Sequence, residues 1–383
     1  MHLTPPYFTG SVGFLRRTQR VLDRQEKLKD SLGEFVMANG KDLPKKIAVL
    51  YSDVKRSYFP TESQYITEKG AEDDAKVVAK HIQNLGIKTH LLPGNSNLPI
   101  HLKKIKPDIA INLVDSFKGF ENLSSSICGV LEILEIPYTG ADILGMSLDT
   151  NKFVIKKLLE QNGVPVPRFQ LFATPNDPID PTLRFPLISK LNEIHGAVEI
   201  TKDAVSDHEK HLRERLKFLI TTYKQPALVE EFIVGREVTA ILLEGLNKKV
   251  YLAEKVFNKD KEDSKYVFST FEDQWLKKGY ESFHYSKFID PILREYVKKA
   301  FDITRMYDYG KFDIRIDQSG RYFFIDSNTN PAFGPKECDV AISVILDIYG
   351  ISFQEILKRL MLNTVRDAQG KERLPPAGSN ENS

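Results

Sequence analysis

Residues 311–331 read KFDIRIDQSGRYFFIDSNTNP. Two alternating runs flank Asp317-Gln318-Ser319-Gly320, a cluster of turn formers, so the stretch reads as a β-hairpin. Pairing Ile316 with Arg321 puts Phe312, Ile314, Ile316, Phe323 and Ile325 on one face, because side chains alternate and paired residues point the same way. That face belongs in a core. The other face carries Lys311, Asp313, Arg315, Phe324, Asp326 and Asn328. Packing gives no reason to crowd two carboxylates, an amide and two cations onto it. Oxygen donors this close suit Mg²⁺, which takes carboxylate oxygens and keeps positions open for phosphate. Asp313, Asp326 and Asn328 are the expected ligands. The plainer reading is a solvated, salt-bridged face, and the Asp-Ser-Asn-Thr-Asn-Pro run directly after an apolar strand weakens it.

The chain has 383 residues, which suggests two or three domains. Lys and Arg total 54 against 52 Asp and Glu, so bulk charge makes no case for a nucleic-acid partner. Two cysteines, Cys128 and Cys338, lie far apart and outside any metal-ligand spacing. A reducing, cytoplasmic setting is the default. No long uncharged apolar run predicts a membrane span. The N-terminus, MHLTPPYFTGSVGFLRRTQR, lacks the apolar core of a signal peptide.

Residues 1–44 read as an appendage, with a charged helical stretch from Arg16 to Ala38. From Lys45 strands and helices alternate: Ile47–Tyr51, Ala71–Leu85, Ile87–Leu92, Ile109–Leu113 and Leu123–Leu134 imply a parallel α/β layer. No Gly-x-Gly-x-x-Gly follows the first strand, so that layer binds no nucleotide in the dinucleotide manner. Asp149–Asn162 reads as a helix capped by Asp149 or Thr150, with Val154, Ile155, Leu158 and Leu159 as its buried stripe. Lys152 and Lys156 share its other side, one turn apart. Pro186–Lys190 and Ala227–Ile233 read as strands. A long polar segment, Asn258–Tyr285, holds the sole tryptophan, Trp275. Helices over Ile289–Thr304, Cys338–Tyr349 and Ser352–Leu362 close the chain, and residues 366–383 have the composition of a disordered tail.

Four segments, in order, resemble the ATP-grasp enzymes and among them D-alanine–D-alanine ligase and related carboxylate–amine ligases. They are IPYTGADILGMSLDTNKFVIKKLLEQNGVPVPRF (136–169), FPLISK (185–190), ALVEEFIVGREVTAILL (227–243) and GKFDIRIDQSGRYFFIDSNTNP (310–331). The resemblance implies a mixed α/β protein of three domains, spanning 45–140, 141–230 and 231–365, with ATP between the last two. It implies that Lys156 and Lys190 reach the phosphates, a task that suits the compact lysine cation. It implies a hinge at Glu230, Glu231, Phe232 and Ile233 that reads adenine, and Glu237 as acceptor for ribose hydroxyls. Asp313, Asp326 and Asn328 would hold two Mg²⁺ ions, with Mn²⁺ as a substitute. Lys311 and Arg315 would stabilise oxyanions. The implied chemistry joins a small-molecule carboxylate to an amine through an acyl phosphate. A homodimer is left open.

The chain departs from that pattern in places. Its phosphate loop, Leu191–Glu199, has one glycine and no serine, although such loops close over phosphates with backbone N–H groups. His195 stands within it as a replacement donor, a substrate contact or a residue without a role. Glu193 and Glu199 are unfavourable there unless they face away. Gln274 occupies the place of a further phosphate lysine, for which Lys255, Lys265 or Lys277 could compensate. Tyr51-Ser-Asp-Val-Lys-Arg56 replaces the turn that holds the D-alanine ammonium, and Ala332 replaces a glycine beside substrate. D-alanine is therefore not the expected substrate. The alternatives are a non-ligase ATP-grasp phosphotransferase and a catalytically weak nucleotide-binding scaffold.

Overall fold

The computed structural model divides the chain into two units, Met1–Leu43 and Pro44–Ser383, and the second is the one treated below. It describes residues 43–368 apart from 246, 260–263 and 277–281, and side chains to 365. The expected Arg16–Ala38 helix, Lys277 and the tail from 369 lie outside the described residues.

Chain segment 46–133 builds a parallel sheet. β1 (Lys46–Ser52) is a run of apolar residues with Ile47 to Leu50 fully buried, as a strand covered on both faces must be. It is followed by α1 (Glu62–Glu68) and α2 (Ala71–Gln83), whose Ala75, Val78, Ala79 and Ile82 form one buried stripe. Then come β2 (Lys88–Gly94), α3 (Leu98–Ile105), β3 (Ile109–Leu113) and α4 (Ser125–Ile133). β1 is the middle strand, pairing in parallel with β2 on one side and β3 on the other. The order therefore reverses between β1 and β3, which opens a crevice at their carboxyl ends.

Two helices follow where the sequence suggests one: α5 (Ile143–Asp149) and α6 (Lys152–Gln161). The cap of α6 is Asn151, whose side chain accepts from Val154 N at 3.0 Å. Asp149 instead accepts from the backbone N–H and hydroxyl of Thr329. The buried stripe of α6 is Ile155, Lys156 and Leu159, while Val154 is exposed, so a lysine occupies a place expected for valine.

β4 (Phe169–Phe172), β5 (Leu187–Leu191), β6 (Val205–Ser206) and β7 (Ala227–Glu231) form an antiparallel sheet in the order β4-β7-β5-β6. Between β6 and β7 runs α7 (Glu209–Tyr223), which lays Leu212, Leu216 and Leu219 on the sheet. The last sheet, in the order β10-β9-β8-β11-β12, is also antiparallel. It comprises β8 (Gly235–Leu243), β9 (Lys249–Phe257), β10 (Phe283–Phe288), β11 (Tyr309–Asp317) and β12 (Tyr322–Asn328). α8 (Pro291–Ile303) precedes β11 and buries Leu293, Val297, Ala300 and Phe301 against Val238, Ala240, Leu252, Phe312 and Ile314. α9 (Ala341–Ile348) and α10 (Phe353–Ala368) close the chain. Among the described residues, no helix is long and apolar enough to cross a membrane.

The opening hairpin is real, but its register differs from the one expected. Ile316 pairs with Tyr322 rather than Arg321, and this one-residue slip sends Phe324 into the core and Phe323 to the other face. A β-bulge then falls between the Ile314–Phe324 and Asp313–Asp326 pairs, leaving Ile325 unpaired. The extra residue reverses the parity again. Asp326 lands opposite Asp313, and Asn328 opposite Lys311, on the polar face.

Candidate active site

One cavity of about 920 Å³, counting its open mouth, is walled by both antiparallel sheets. β5, the 194–200 loop and Glu230–Ile233 contribute from one side, and β8, β9, β11 and β12 from the other. Cationic Lys152, Lys190, Lys255, Lys311 and Arg315 share its wall with Glu237, Asp313 and Asp326.

The polar hairpin face supplies the floor. Asp313 accepts from Lys311 Nζ at 2.5 Å and from Thr239 Oγ1 at 2.7 Å. Asn328 Nδ2 donates to Asp326 at 3.2 Å. Burial alone would raise Asp313, but Lys255, Lys311 and these hydrogen bonds hold it well below the usual carboxylate range. For Asp326, burial is outweighed by Lys152, His195, Lys190 and Lys311. Both are therefore carboxylates, and with the Asn328 amide they form a hard oxygen donor set that fits Mg²⁺. Among the described residues no three His, Cys, Asp or Glu side chains converge as a metal cluster. Two carboxylates and one amide leave most of an octahedron to phosphate oxygens and water.

Lys156 and Lys190 converge on Glu230. Lys190 Nζ donates to Oε2 at 3.1 Å, and Lys156 Nζ lies 3.1 Å from Oε1 in ion-pair contact without hydrogen-bond geometry. Lys156 also donates to the carbonyls of Phe324 and Ile325, and Lys190 to that of Ile325. These carbonyls belong to the bulge. Lys156 is thus a buried clamp, pushed down by burial and supported by Glu230, in a small recess beside the main cavity. Lys152, one turn earlier, is the helix lysine on the wall of the main cavity, while Lys156, the lysine expected near the phosphates, lines the recess beside it. The sequence signal was there: Ile155 and Leu159 fix the buried stripe, and Lys156 adjoins it.

Glu237 sits between two cations. Lys255 Nζ donates to Oε1 at 2.7 Å and Arg315 Nη1 to Oε2 at 3.2 Å, which hold it ionised against burial. Each carboxylate oxygen keeps a second lone pair, so Glu237 still accepts from a ligand. Arg315 also donates to Gly235 O and Val267 O, and its guanidinium lies 4.9 Å from the Phe232 ring centre. It is locked in place rather than free to swing. Phe232 packs edge-on against Tyr266 and Phe268 and lines the cavity with Ile233. Glu231 Oε1 accepts from Arg184 N at 2.9 Å.

Glu199 turns away from the cavity onto Tyr223 and Arg215, and Glu193 is exposed. Of the proposed substitute lysines, Lys255 lines the cavity and Lys265 pairs with Asp207 outside it. Gln274 is on the wall, with its amide donating to Ser269 Oγ.

At the crevice between β1 and β3, Ser52 Oγ accepts from the N–H groups of Asp115 and Ser116. Buried Glu68 accepts from Ser116 Oγ at 2.7 Å and is pushed up to about 8, first by burial and then by Asp115. Asp115 is pushed up to about 7 by its deep surroundings and by Glu121, yet its side chain is open to solvent, as on a cleft wall. Among the described residues no lysine or arginine forms an ion pair with Glu68, Asp115, Glu121 or Asp149. These lone carboxylates on short segments carry no sequence pattern and were not anticipated.

Comparison with known proteins places the chain in a family and supports its fold. The family described as D-ala D-ala ligase C-terminus matches residues 158–362, more than half of the chain. The chain belongs to this ATP-grasp family. A D-alanine–D-alanine ligase of Aquifex aeolicus is 27% identical over 67% of this chain and 83% of its own length. That of Carboxydothermus hydrogenoformans is 28% identical over 70% of this chain and 84% of its own. The crystal structure of D-alanine–D-alanine ligase from Bacillus anthracis complexed with ATP superposes with a TM-score of 0.63 at 17% identity, covering 86% of this chain and all of that one. The mixed α/β ATP-grasp fold expected from the four segments is the one observed.

Proposed function

We propose that this protein is an ATP- and Mg²⁺-dependent ligase that joins a carboxylate to an amine. The observation that carries this is the hairpin floor: Asp313 faces Asp326 beside Asn328, in one cavity with Lys152 and Lys190. A carboxylate oxygen of the first substrate attacks the γ-phosphorus, the bond to the bridging oxygen breaks, and ADP leaves. The amine nitrogen then attacks the acyl carbon and loses a proton as the C–O bond breaks and inorganic phosphate departs. Mg²⁺ held by Asp313, Asp326 and Asn328 would offset phosphate charge. Lys152 and Lys190 face the phosphates, Glu230–Ile233 borders adenine, and Glu237 accepts from ribose. Lys311 and Arg315 are fixed cations for developing oxyanions.

The carboxyl-rich crevice at Glu68, Asp115 and Glu121 supports a substrate bearing an ammonium group, since such a ligand would favour the ionised forms that burial disfavours at Glu68 and Asp115. D-alanine is not the expected one, because Ser52 spends its hydroxyl on the Asp115 and Ser116 amides instead of offering it to a substrate. The test is ADP and phosphate release against pools of carboxylates and amines, with Asp326→Ala as control. Release that needs both an acid and an amine is the expected result. A phosphorylated product with no amine requirement, or ATP binding without turnover, refutes the ligase.

A further inference from the structure

The loop over the phosphate side of the cavity is held from several elements at once. Asn192 ties it to α6, its carbonyl accepting from Lys152 N and its side chain from Phe153 N. Lys152 Nζ donates to Ile194 O at 2.8 Å, and Trp275 Nε1 to Gly196 O at 2.7 Å. Gly196 has φ +69°, and a Cβ there would lie 2.7 Å from Thr67 Cγ2 of α1. The most specific tie is His195. Its backbone N–H lies 3.1 and 3.0 Å from the two oxygens of Glu121, and its Nδ1 lies 2.7 Å from Oε2.

That geometry settles what each ring nitrogen does. Facing a carboxylate, Nδ1 is the donor. Nε2 is buried and has no hydrogen-bond partner among the described residues, although the ring is on the cavity wall with Lys152, Lys190 and Asp326. The groups facing the ring from neighbouring elements are Glu121, Asp115, Asp149, Lys152 and Asp326. Burial and Lys152 disfavour a charged ring, but Asp149 and Glu121 outweigh them and raise His195 above its ordinary value of 6.5. The buried Nε2 is then an N–H donor without an acceptor, on a residue that lines the cavity. The loop also has no serine and only one glycine, Gly196, to supply donors there.

We propose that His195 is the phosphoryl-binding residue of this loop: with Nδ1 fixed on Glu121, its Nε2–H donates to an oxygen of the terminal phosphoryl group. Glu121 is the positioning residue. Because Glu121 stands beside Asp115 in the substrate crevice, the same contact ties closure over the nucleotide to the segment that receives the substrate. The inference rests on the ATP-dependent reading given above.

The test is equilibrium binding of Mg·ATP and of AMP, without acid or amine, so that no turnover is needed. His195→Ala weakens ATP binding about 10- to 100-fold, the range for a charge-assisted hydrogen bond, and leaves AMP within about twofold, which also shows that the variant is folded. ATP affinity of the unaltered protein falls as the pH rises through the raised imidazole value. His195→Gln, carrying only the nucleotide's own titration, lacks that fall, and Glu121→Gln moves it to lower pH. A purely structural loop residue would not produce this pH signature. ATP affinity indifferent to His195, or AMP binding lost in parallel, overturns this proposal alone. Absence of ATP binding by the unaltered protein overturns it together with the function proposed above.

Discussion

Lys156 shows how a residue can keep its charge and change its task. The residue is 3% exposed, and its ammonium spans Glu230 and two bulge carbonyls. Lys156→Met takes the lysine donor from the Phe324 carbonyl, although Glu230 and the Ile325 carbonyl keep Lys190. The expected loss is about 1–3 kcal/mol of stability, read by urea unfolding, with weaker Mg·ATP binding because Asp326 adjoins the loosened bulge. Unchanged stability would mean that the clamp is not formed. Glu68 makes a second residue-scale prediction through its raised value of about 8 against 4.5 unfolded. Below 4.5 both states hold the proton and the burial carries no ionisation penalty. Between the two values only the folded state holds it, so stability falls as the pH rises, by about 1.4 kcal/mol per unit of separation, until the folded value is passed. Glu68→Gln removes that fall while keeping an acceptor for Ser116. The variant should match the parent at about pH 4.5 and exceed it by several kcal/mol at about pH 8.5, measured by chemical denaturation. The place of Lys156 beside the Ile155–Leu159 stripe was legible beforehand, but its clamping contacts and the part of Glu68 were not. Lysine on a helix is usually solvated, and a lone glutamate on a short helix has no periodic signal.

At the scale of elements, the hairpin was legible because its turn chemistry and alternation are local. Its register was not, because one residue of slip costs nothing in the pattern and is decided by which phenylalanine the core accepts. Phe324 packs edge-on against Phe312 with ring centres 5.5 Å apart. That contact fixes the Ile314–Phe324 pair, and the bulge must follow if Asp326 is to avoid the core. The expected ligand face was therefore reached with two compensating offsets, the slip and the bulge. Deleting Ile325 tests this. The ladder then continues in one register with Asp326 still opposite Asp313, because the residue that follows core-facing Phe324 falls on the polar face, and what is lost is the Ile325 carbonyl that Lys156 and Lys190 hold. Mg²⁺-dependent nucleotide binding and ADP release should therefore both survive, with lower stability from the lost carbonyl contacts; abolition of both would show that the bulge itself positions Asp326. Ile325→Ala, which keeps the residue count and its carbonyl, should retain both within about tenfold. Equal loss in the two variants would show that the side chain, not the bulge, matters. The helix break at Thr150–Asn151 has a similar cause. Asp149 is drawn off to Thr329, a partner 180 residues away that no local pattern reveals.

The whole molecule sets two chemically different regions on either side of one loop. The cavity between the antiparallel sheets gathers lysines, as a polyphosphate requires, while the crevice of the parallel sheet gathers carboxyls without lysine or arginine partners. The sequence disclosed the first half because its motifs are long and ordered along the chain. It hid the second because Glu68, Asp115 and Glu121 meet only through the β2-β1-β3 strand order. This partition predicts that the kinetic effects of substitutions separate. Asp115→Asn keeps the side chain's size, and Asp115 is solvent-open in the cleft, so it should fold normally. It should raise the KM for the ammonium-bearing substrate about tenfold or more and leave the KM for ATP within about twofold. Lys152→Met should do the reverse, raising the KM for ATP or lowering kcat while sparing the ammonium substrate. Initial rates of ADP release, with each substrate varied at saturation of the other, separate these effects. A parallel change in both constants for either variant would mean that the two regions act as one site, and the division of labour across the His195 loop would fall with it.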